Sequence, residues 1–420
     1  MIYNMGHGKD EMMECKAAKM KEKQHLHRLE LWWNSELVGE TECYNEMSLK
    51  GLQPHPNLEV LILSNYMGIT IPSWVSSLTN LVDLHLGYNC RCHRLPSLNQ
   101  LPFLNSACLV GMEALQYISE DIVSNVFGSS ITTFFPSLFS LEIKKCPDLK
   151  GWLRKDDKDG PQHLLLPSFP RLSKLEIEDC FNLTFMPLFP YLKVELKLWE
   201  ASLKVLQQTI NTQRPSTSTA SSCCFPLSEL EFLDLKGVND LESLPEKWLQ
   251  NLVSLQRLFI YGCLGLRSLP CKGIQHLISL QEMNIVNCNE IALVNDEDDG
   301  MQWQGLRSLH SLRFLRTPKL MSLPDGLQHV TTLQKLKILN CTNLMALPEW
   351  IGNLASLHYL AISRCFNLTS LPQEICHLTS LQILEIGNCP NLMTLPGSMD
   401  NLTLLQTLKI GEFPNLTSLP

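Results

Sequence analysis

Apolar residues along this chain recur on a long period. Leu309, Leu333, Leu357, Leu381 and Leu405 stand 24 residues apart, and each opens the same phrase. The block from Leu357 reads LHYLAISRCFNLTSLPQEICHLTS, and the next, from Leu381, reads LQILEIGNCPNLMTLPGSMDNLTL. The shared pattern is LxxLxIxxCxxLxxLPxxIxxLxx. With the first Leu as position 0, apolar residues fall at positions 0, 3, 5, 11 and 14, and proline falls at 15. The frame also fits Leu230, Leu255 and Leu280, and with more drift Leu172, Leu138, Leu81 and Leu58. Degenerate copies start at Leu104 and around Leu196, and Leu26, Leu29 and Leu31 form the earliest copy. Inward residues two apart, at positions 3 and 5, predict a short strand. Proline at 15 ends the apolar run, because it lacks an amide donor and fixes φ. The IxxL that follows (Ile351 and Leu354; Ile375 and Leu378) predicts a short helical turn.

No single repeat can bury its own leucines, so the strands must stack on one another, about 4.8 Å apart, as a parallel sheet. The phrase is the leucine-rich-repeat signature, LxxLxLxxN/CxL. The expected fold class is α/β: a leucine-rich-repeat solenoid, a curved horseshoe with a parallel β-sheet on its concave face and an irregular, short-helical convex side. Residues 1–25 read as a charged lead-in that includes part of a first repeat. Irregular repeats occupy 26–198, a Ser/Thr-rich interruption 199–226, and regular 24-residue repeats 227–420, cut in mid-repeat. Four stretches break the period and read as loops: 119–137, 150–171, 199–226 and 292–305. The second carries Lys155-Asp-Asp-Lys-Asp-Gly160, the third TQRPSTSTASS, and the fourth Asn295-Asp-Glu-Asp-Asp-Gly300.

Composition changes this picture in three places. A chain of 420 residues exceeds the roughly 250–300 that one core supports, and repeat number accounts for the excess. With 45% apolar and 18% charged residues, the chain is too apolar and too weakly charged to be disordered. A net charge of −8 argues against a general nucleic-acid binder. No apolar run reaches the ~18 residues of a membrane span, and MIYNMGHGKDEMME has no signal-peptide core. Seven of the sixteen cysteines fall at one position, 8: Cys146, Cys180, Cys263, Cys288, Cys341, Cys365 and Cys389. There a small buried side chain meets the turn after the strand, so a structural role is expected. A ladder of unpaired thiols suits a reducing cytoplasm.

The search for chemistry yields no catalytic, cofactor-binding or metal residues. There is no CxxC pair, and Cys90-Arg-Cys92-His93 is the nearest approach to a ligand cluster. The acidic run ending at Gly300 fails as a calcium loop, because Leu306 stands where a bidentate Glu is needed. GxxxxGK[ST], GxGxxG, HExxH and GxSxG are all missing, and no enzyme is expected. The N-x-T sequons at Asn182, Asn367, Asn401 and Asn415 are, but for one, by-products of the repeated NLTxxP phrase and read as unmodified.

Positions 2, 4, 6 and 7 face outward on the sheet. In the regular repeats they carry Arg257, Phe259, Tyr261, Arg313, Arg316, Lys335, Lys337, Tyr359 and Arg364. A basic and aromatic patch on an acidic protein suggests a partner-binding surface centred on Arg313, Lys337 and Tyr359, attracting an acidic protein. In the N-terminal half Trp32 and Trp33 are interface aromatics or part of a cap.

Residues 51–58 (GLQPHPNL), Asn65-Tyr-Met-Gly68, Ile71-Pro-Ser-Trp-Val75, Leu95-Pro-Ser-Leu-Asn-Gln-Leu-Pro102 and Gly111-Met-Glu-Ala-Leu-Gln-Tyr-Ile118 carry a more specific likeness. They resemble the repeat region of plant coiled-coil nucleotide-binding leucine-rich-repeat (NB-LRR) disease resistance proteins. The stretch Cys15–Leu26 is similar to that family's charged lead-in. Three local departures are Asn89 at the position of the family's first cysteine, Asn99 for Gly in GQLP, and Ile71 for Phe in FPSW. The resemblance implies the recognition part of a cytoplasmic immune receptor, binding a pathogen effector or a host guardee, and in the family its own nucleotide-binding domain. No nucleotide-binding motif occurs here, so a truncated product is expected. A generic scaffold or adaptor, and a non-functional remnant, are the alternatives.

Overall fold

Positions 3 and 5 of each phrase are leucine, isoleucine or a like residue, separated by one outward residue, and that alternation makes a strand in nearly every repeat. The computed structural model describes residues 2–5, 14–33, 42–99, 101–122, 134–154, 167–211, 225–293, 301–412 and 414–415. The runs Lys155–Gly160, TQRPSTSTASS and Asn295–Gly300 lie outside them. Contacts divide the chain into two units, Met1–Leu227 and Ser228–Pro420.

In the first unit a parallel sheet runs in the order β1 (Ile2–Met5), β2 (Arg28–Trp33), β3 (Val60–Ser64), β4 (Asp83–Gly87), β5 (Ser106–Val110), β7 (Ser140–Lys144), β9 (Lys174–Cys180) and β10 (Glu195–Ala201). β1 lies within the segment read from sequence as a charged lead-in. The second unit's strands stack in chain order: β11 (Phe232–Lys236), β12 (Arg257–Tyr261), β13 (Glu282–Val286), β14 (Ser311–Leu315), β15 (Lys335–Leu339), β16 (Tyr359–Ser363), β17 (Ile383–Gly387) and β18 (Thr407–Gly411). In this unit the register is in frame throughout, so Leu258 meets Met283 and Ile260 meets Ile285, and the next pairs follow the same rule. The second unit's inward rows are shut off from solvent from β11 to β17. Each such side chain contributes roughly 1.5–3 kcal/mol by burial. Both units are leucine-rich-repeat solenoids.

Across from the sheet, the turns after the LP pair are short helices. Examples are Ser73–Ser77, Asp325–His329, Glu349–Asn353 and Gln373–His377, all 3-10, and the α-turn Glu246–Asn251. Each starts directly after a proline at the N-cap, whose ψ of 125–151° is not yet helical and whose missing amide costs the turn no hydrogen bond.

Three of the four expected loops open in strands. β6 (Tyr117–Ile122) and β8 (Gly151–Arg154) pair in a separate parallel sheet. In regular repeats, position 13 makes only one bridge to its neighbour, as in Ala346 to Ser370 to Thr394. Proline at 15 stops it there. In the repeats opened by Leu104 and Leu138, position 15 is Ser119 and Leu153, so the pairing continues. An aromatic cluster backs this sheet: Trp152 meets Phe135 edge-on at 5.4 Å and Phe169 at 5.2 Å between ring centroids. The 199–226 interruption opens with the end of β10 and contains a helix, Lys204–Asn211.

The thiols at position 8 are all fully buried. Five of them, and Asn89 in their place, donate to the position-5 carbonyl of the preceding repeat: Asn89 Nδ2 to Leu63 at 3.3 Å, and Cys180 Sγ to Ile143 at 3.6 Å. Cys146, Cys263, Cys288 and Cys365 repeat the contact. Cys341 instead sits 3.2 Å from Thr317 Oγ1, the position-8 residue before it. Burial pushes the Cys288 and Cys341 thiols up, so they stay protonated.

Candidate functional site

Strand pairing lines the outward residues of the second unit into three rows about 4.8 Å apart from strand to strand. The position-4 row reads Asp234, Phe259, Asn284, Arg313, Lys337, Ala361, Glu385, Lys409. The position-2 row includes Phe232, Arg257, Glu282, Ser311, Lys335 and Tyr359, and the position-6 row Tyr261, Val286, Leu315, Leu339 and Ser363.

The expected site residues separate into two groups and a pair at the strand exits. At β11–β12, the Arg257 guanidinium lies 4.3 Å from the Phe232 ring centre. Phe259 packs edge-on between Phe232, at 5.1 Å, and Tyr261, at 5.9 Å. Burial first, then the Asp234 charge, raises the Tyr261 phenol. At β14–β17, Lys337 lies 4.8 Å over the Tyr359 ring. The Tyr359 hydroxyl donates to Glu385 at 2.7 Å, and Lys409 holds the same carboxylate at 2.6 Å. Tyr359 is pushed up to about 12 by burial and by that bond. Glu385 is held down, chiefly by the Lys409 hydrogen bond.

Arg316 and Arg364 are placed differently from a sheet-face residue. Both are exposed at position 7, just past the strand, with φ of 54° and 55°. Position 7 is left-handed in repeat after repeat, and Asn65, Gly111, Gly237, Gly262, Asn287, Asn340 and Asn388 occupy it elsewhere. Glycine and asparagine tolerate that conformation best.

β14 and β15 carry four cations at outward or exit positions (Arg313, Arg316, Lys335 and Lys337) and no acid. Among the described residues none of the four makes an ion pair, and the second unit's pairs are Lys319–Glu290 and Lys409–Glu385. Arg313 Nε is closed off from solvent without a hydrogen-bond partner. The first unit's face differs. Lys144 is held by Glu142 at 2.9 Å and Glu176 at 3.0 Å, and Lys197 by Glu195 at 2.7 Å. Cys108 donates to Glu142 at 3.8 Å and is pushed up to about 12 by burial and that carboxylate, which makes it a poor nucleophile. Trp33 is buried edge-on against Tyr66 at 5.0 Å, whereas Trp32 is half-buried on the outward row.

Glu385, Lys409, Asn284, Leu315 and Leu339 belong to the same surface and were not singled out from sequence. Their signal was available, since they stand at positions 4 and 6 of the same frame. Cys92 is buried and donates to the Arg94 carbonyl at 3.2 Å, while His93 Nδ1 contacts the Ala114 carbonyl at 3.2 Å. Among the described residues no group of three or more His, Cys, Asp or Glu is placed to hold a metal ion, and no helix is long and apolar enough to cross a membrane.

The family described as R13L1/DRL21 LRRs matches residues 1–112, and the one described as leucine-rich repeat region matches 298–418. Disease resistance protein RGA2 of Solanum bulbocastanum is 29% identical over 236 residues, 55% of this chain and 22% of its own length. Putative disease resistance RPP13-like protein 1 of Arabidopsis thaliana is 28% identical over 261 residues, 57% of this chain and 24% of its own. The chain thus spans under a quarter of the length of these relatives. Among solved structures, a leucine-rich-repeat protein of Leptospira interrogans aligns with a TM-score of 0.49 and 21% identity, covering 95% of this chain and 93% of that one. The chain resembles the leucine-rich-repeat region of plant disease resistance proteins.

Proposed function

We propose, from its resemblance to that repeat region, that the chain is the protein-recognition part of a plant intracellular immune receptor. It acts in the cytoplasm, and the sheet face of its second unit binds a pathogen effector or a host protein. In a longer receptor the same repeats would also contact the receptor's own nucleotide-binding domain. One observation carries the reading. The four cations of β14 and β15 make no ion pair among the described residues, whereas Lys144 and Lys197 on the first unit's face do. Like charges side by side on a sheet destabilise it. A surface that keeps them unpaired supports an acidic partner as the missing half, and Arg and Tyr are the residue types enriched where binding energy concentrates.

The test fuses the chain to a biotin ligase in plant leaf cells and compares it with Arg313→Glu/Lys337→Glu. The double variant is expected to lose labelling of proteins with acidic surfaces, because reversing two partner-facing charges turns attraction into repulsion. Identical labelling by both forms would overturn the assignment of this face.

A further inference from the structure

The cation pair has a second feature beside it. Arg313 and Lys337 are cross-strand neighbours at position 4, and two residues further along the same strands Leu315 and Leu339 are neighbours at position 6. Val286 extends the apolar row on β13. Both leucines are only half-buried, so they offer apolar surface to solvent. Nearby acids are committed elsewhere. Glu282 accepts the Asn284 amide at 3.0 Å, and Glu385 accepts Tyr359 and Lys409. Among the described residues neither Arg313 nor Lys337 forms an ion pair, so the pair can take an anion from outside, next to a strip that favours an apolar group.

The two rows lie about 6.8 Å apart, twice the rise per strand residue. An extended peptide laid along the strands repeats its same-face side chains at that spacing. We propose that this corner binds an extended segment of a partner protein carrying an oxyanion side group, carboxylate or phosphate, two residues before or after an apolar side chain. The oxyanion sits between the Arg313 and Lys337 side chains, cross-strand neighbours at position 4. The apolar side chain covers Leu315 and Leu339. The proposal rests on the recognition role given above and narrows its partner to one short chemical pattern.

Binding of fluorescein-labelled peptides to the full chain, read by anisotropy, tests it. The central sequences are Glu-Thr-Leu, Gln-Thr-Leu, Glu-Leu-Thr and phosphoserine-Thr-Leu. Glu-Thr-Leu is expected to bind, with losses of about tenfold or more for Gln-Thr-Leu, which lacks the charge, and Glu-Leu-Thr, which lacks the spacing. Phosphoserine binding tighter than Glu assigns the oxyanion as phosphate, and weaker binding assigns it as carboxylate. Arg313→Gln should weaken both, and Leu339→Ser should abolish the advantage of Glu-Thr-Leu over Glu-Leu-Thr. Thermal melts confirm that both variants fold. Equal binding of Glu-Thr-Leu and Glu-Leu-Thr, or of no peptide at all, overturns this spacing rule and leaves the recognition role to the leaf-cell experiment. Binding unaffected by Arg313→Gln removes the cation pair from both proposals.

Discussion

The amide of Asn89 and most of the thiols at the same position in other repeats do one job. Asn89 and five of the seven thiols cap the position-5 carbonyl of the repeat before, the last inward carbonyl of its strand. Asn89 also accepts the Tyr66 amide through Oδ1 at 2.8 Å. Asn89→Leu strands both groups in the core, so it should cost about 2–4 kcal/mol in urea unfolding. Asn89→Cys, which keeps a donor for Leu63, should cost less; equal losses would mean the side chain acts by shape alone. That position 8 points inward was legible from seven cysteines in one frame. Position 7 was not legible, because Gly, Asn, Tyr, Lys and Arg all occur there and no residue type marks it. The left-handed backbone explains the mixture, since conformation rather than chemistry is what the site demands. Gly262, with φ of 61°, has only the Gly237 amide nitrogen near a would-be Cβ, at 4.0 Å. Gly262→Val therefore tests strain without a clash. A loss of about 1–3 kcal/mol is expected, and Gly262→Asn should be nearly silent.

Strands follow from alternation, and this is why the sheet order was legible once the frame was set. The separate β6–β8 sheet was hidden for an equally physical reason: it arises from a missing proline, and an absence at position 15 gives no positive signal in an irregular repeat. Ser119 pairs with Leu153 in that sheet. Ser119→Pro should restore the stop that the LP phrase provides elsewhere. Amides of 117–122 and 151–154 should then lose protection from hydrogen exchange, while β5 and β7 keep theirs, because those strands pair in a different sheet. Loss of protection across β5 and β7 as well would show that the two sheets open as one unit. The candidate site shows the same division. Its rows were legible from positions 2, 4 and 6, but the bonds that tie Glu385 to Tyr359 and Lys409 were not. They depend on residues 24 and 26 apart in sequence that only strand pairing makes neighbours.

At the scale of the whole molecule, the net charge of −8 and the cations of β14 and β15 pull an acidic ligand in opposite directions. Distance separates the two effects. At about 0.01 M salt the Debye length is roughly 30 Å, so an approaching anion feels the whole acidic chain. At about 0.1 M it is roughly 10 Å, and only the local cations are felt at contact. The association rate of a peptide of several glutamates, measured by stopped flow, should therefore rise from low salt towards about 0.1 M and fall beyond it, as local attraction is screened in turn. Arg313→Glu/Lys337→Glu removes the local attraction and leaves the overall repulsion, so only the rising limb should remain. A rate that falls from the lowest salt upward would show that the cation patch outweighs the acidic remainder at every distance. A rate independent of salt would show that these cations do not steer an anion at all.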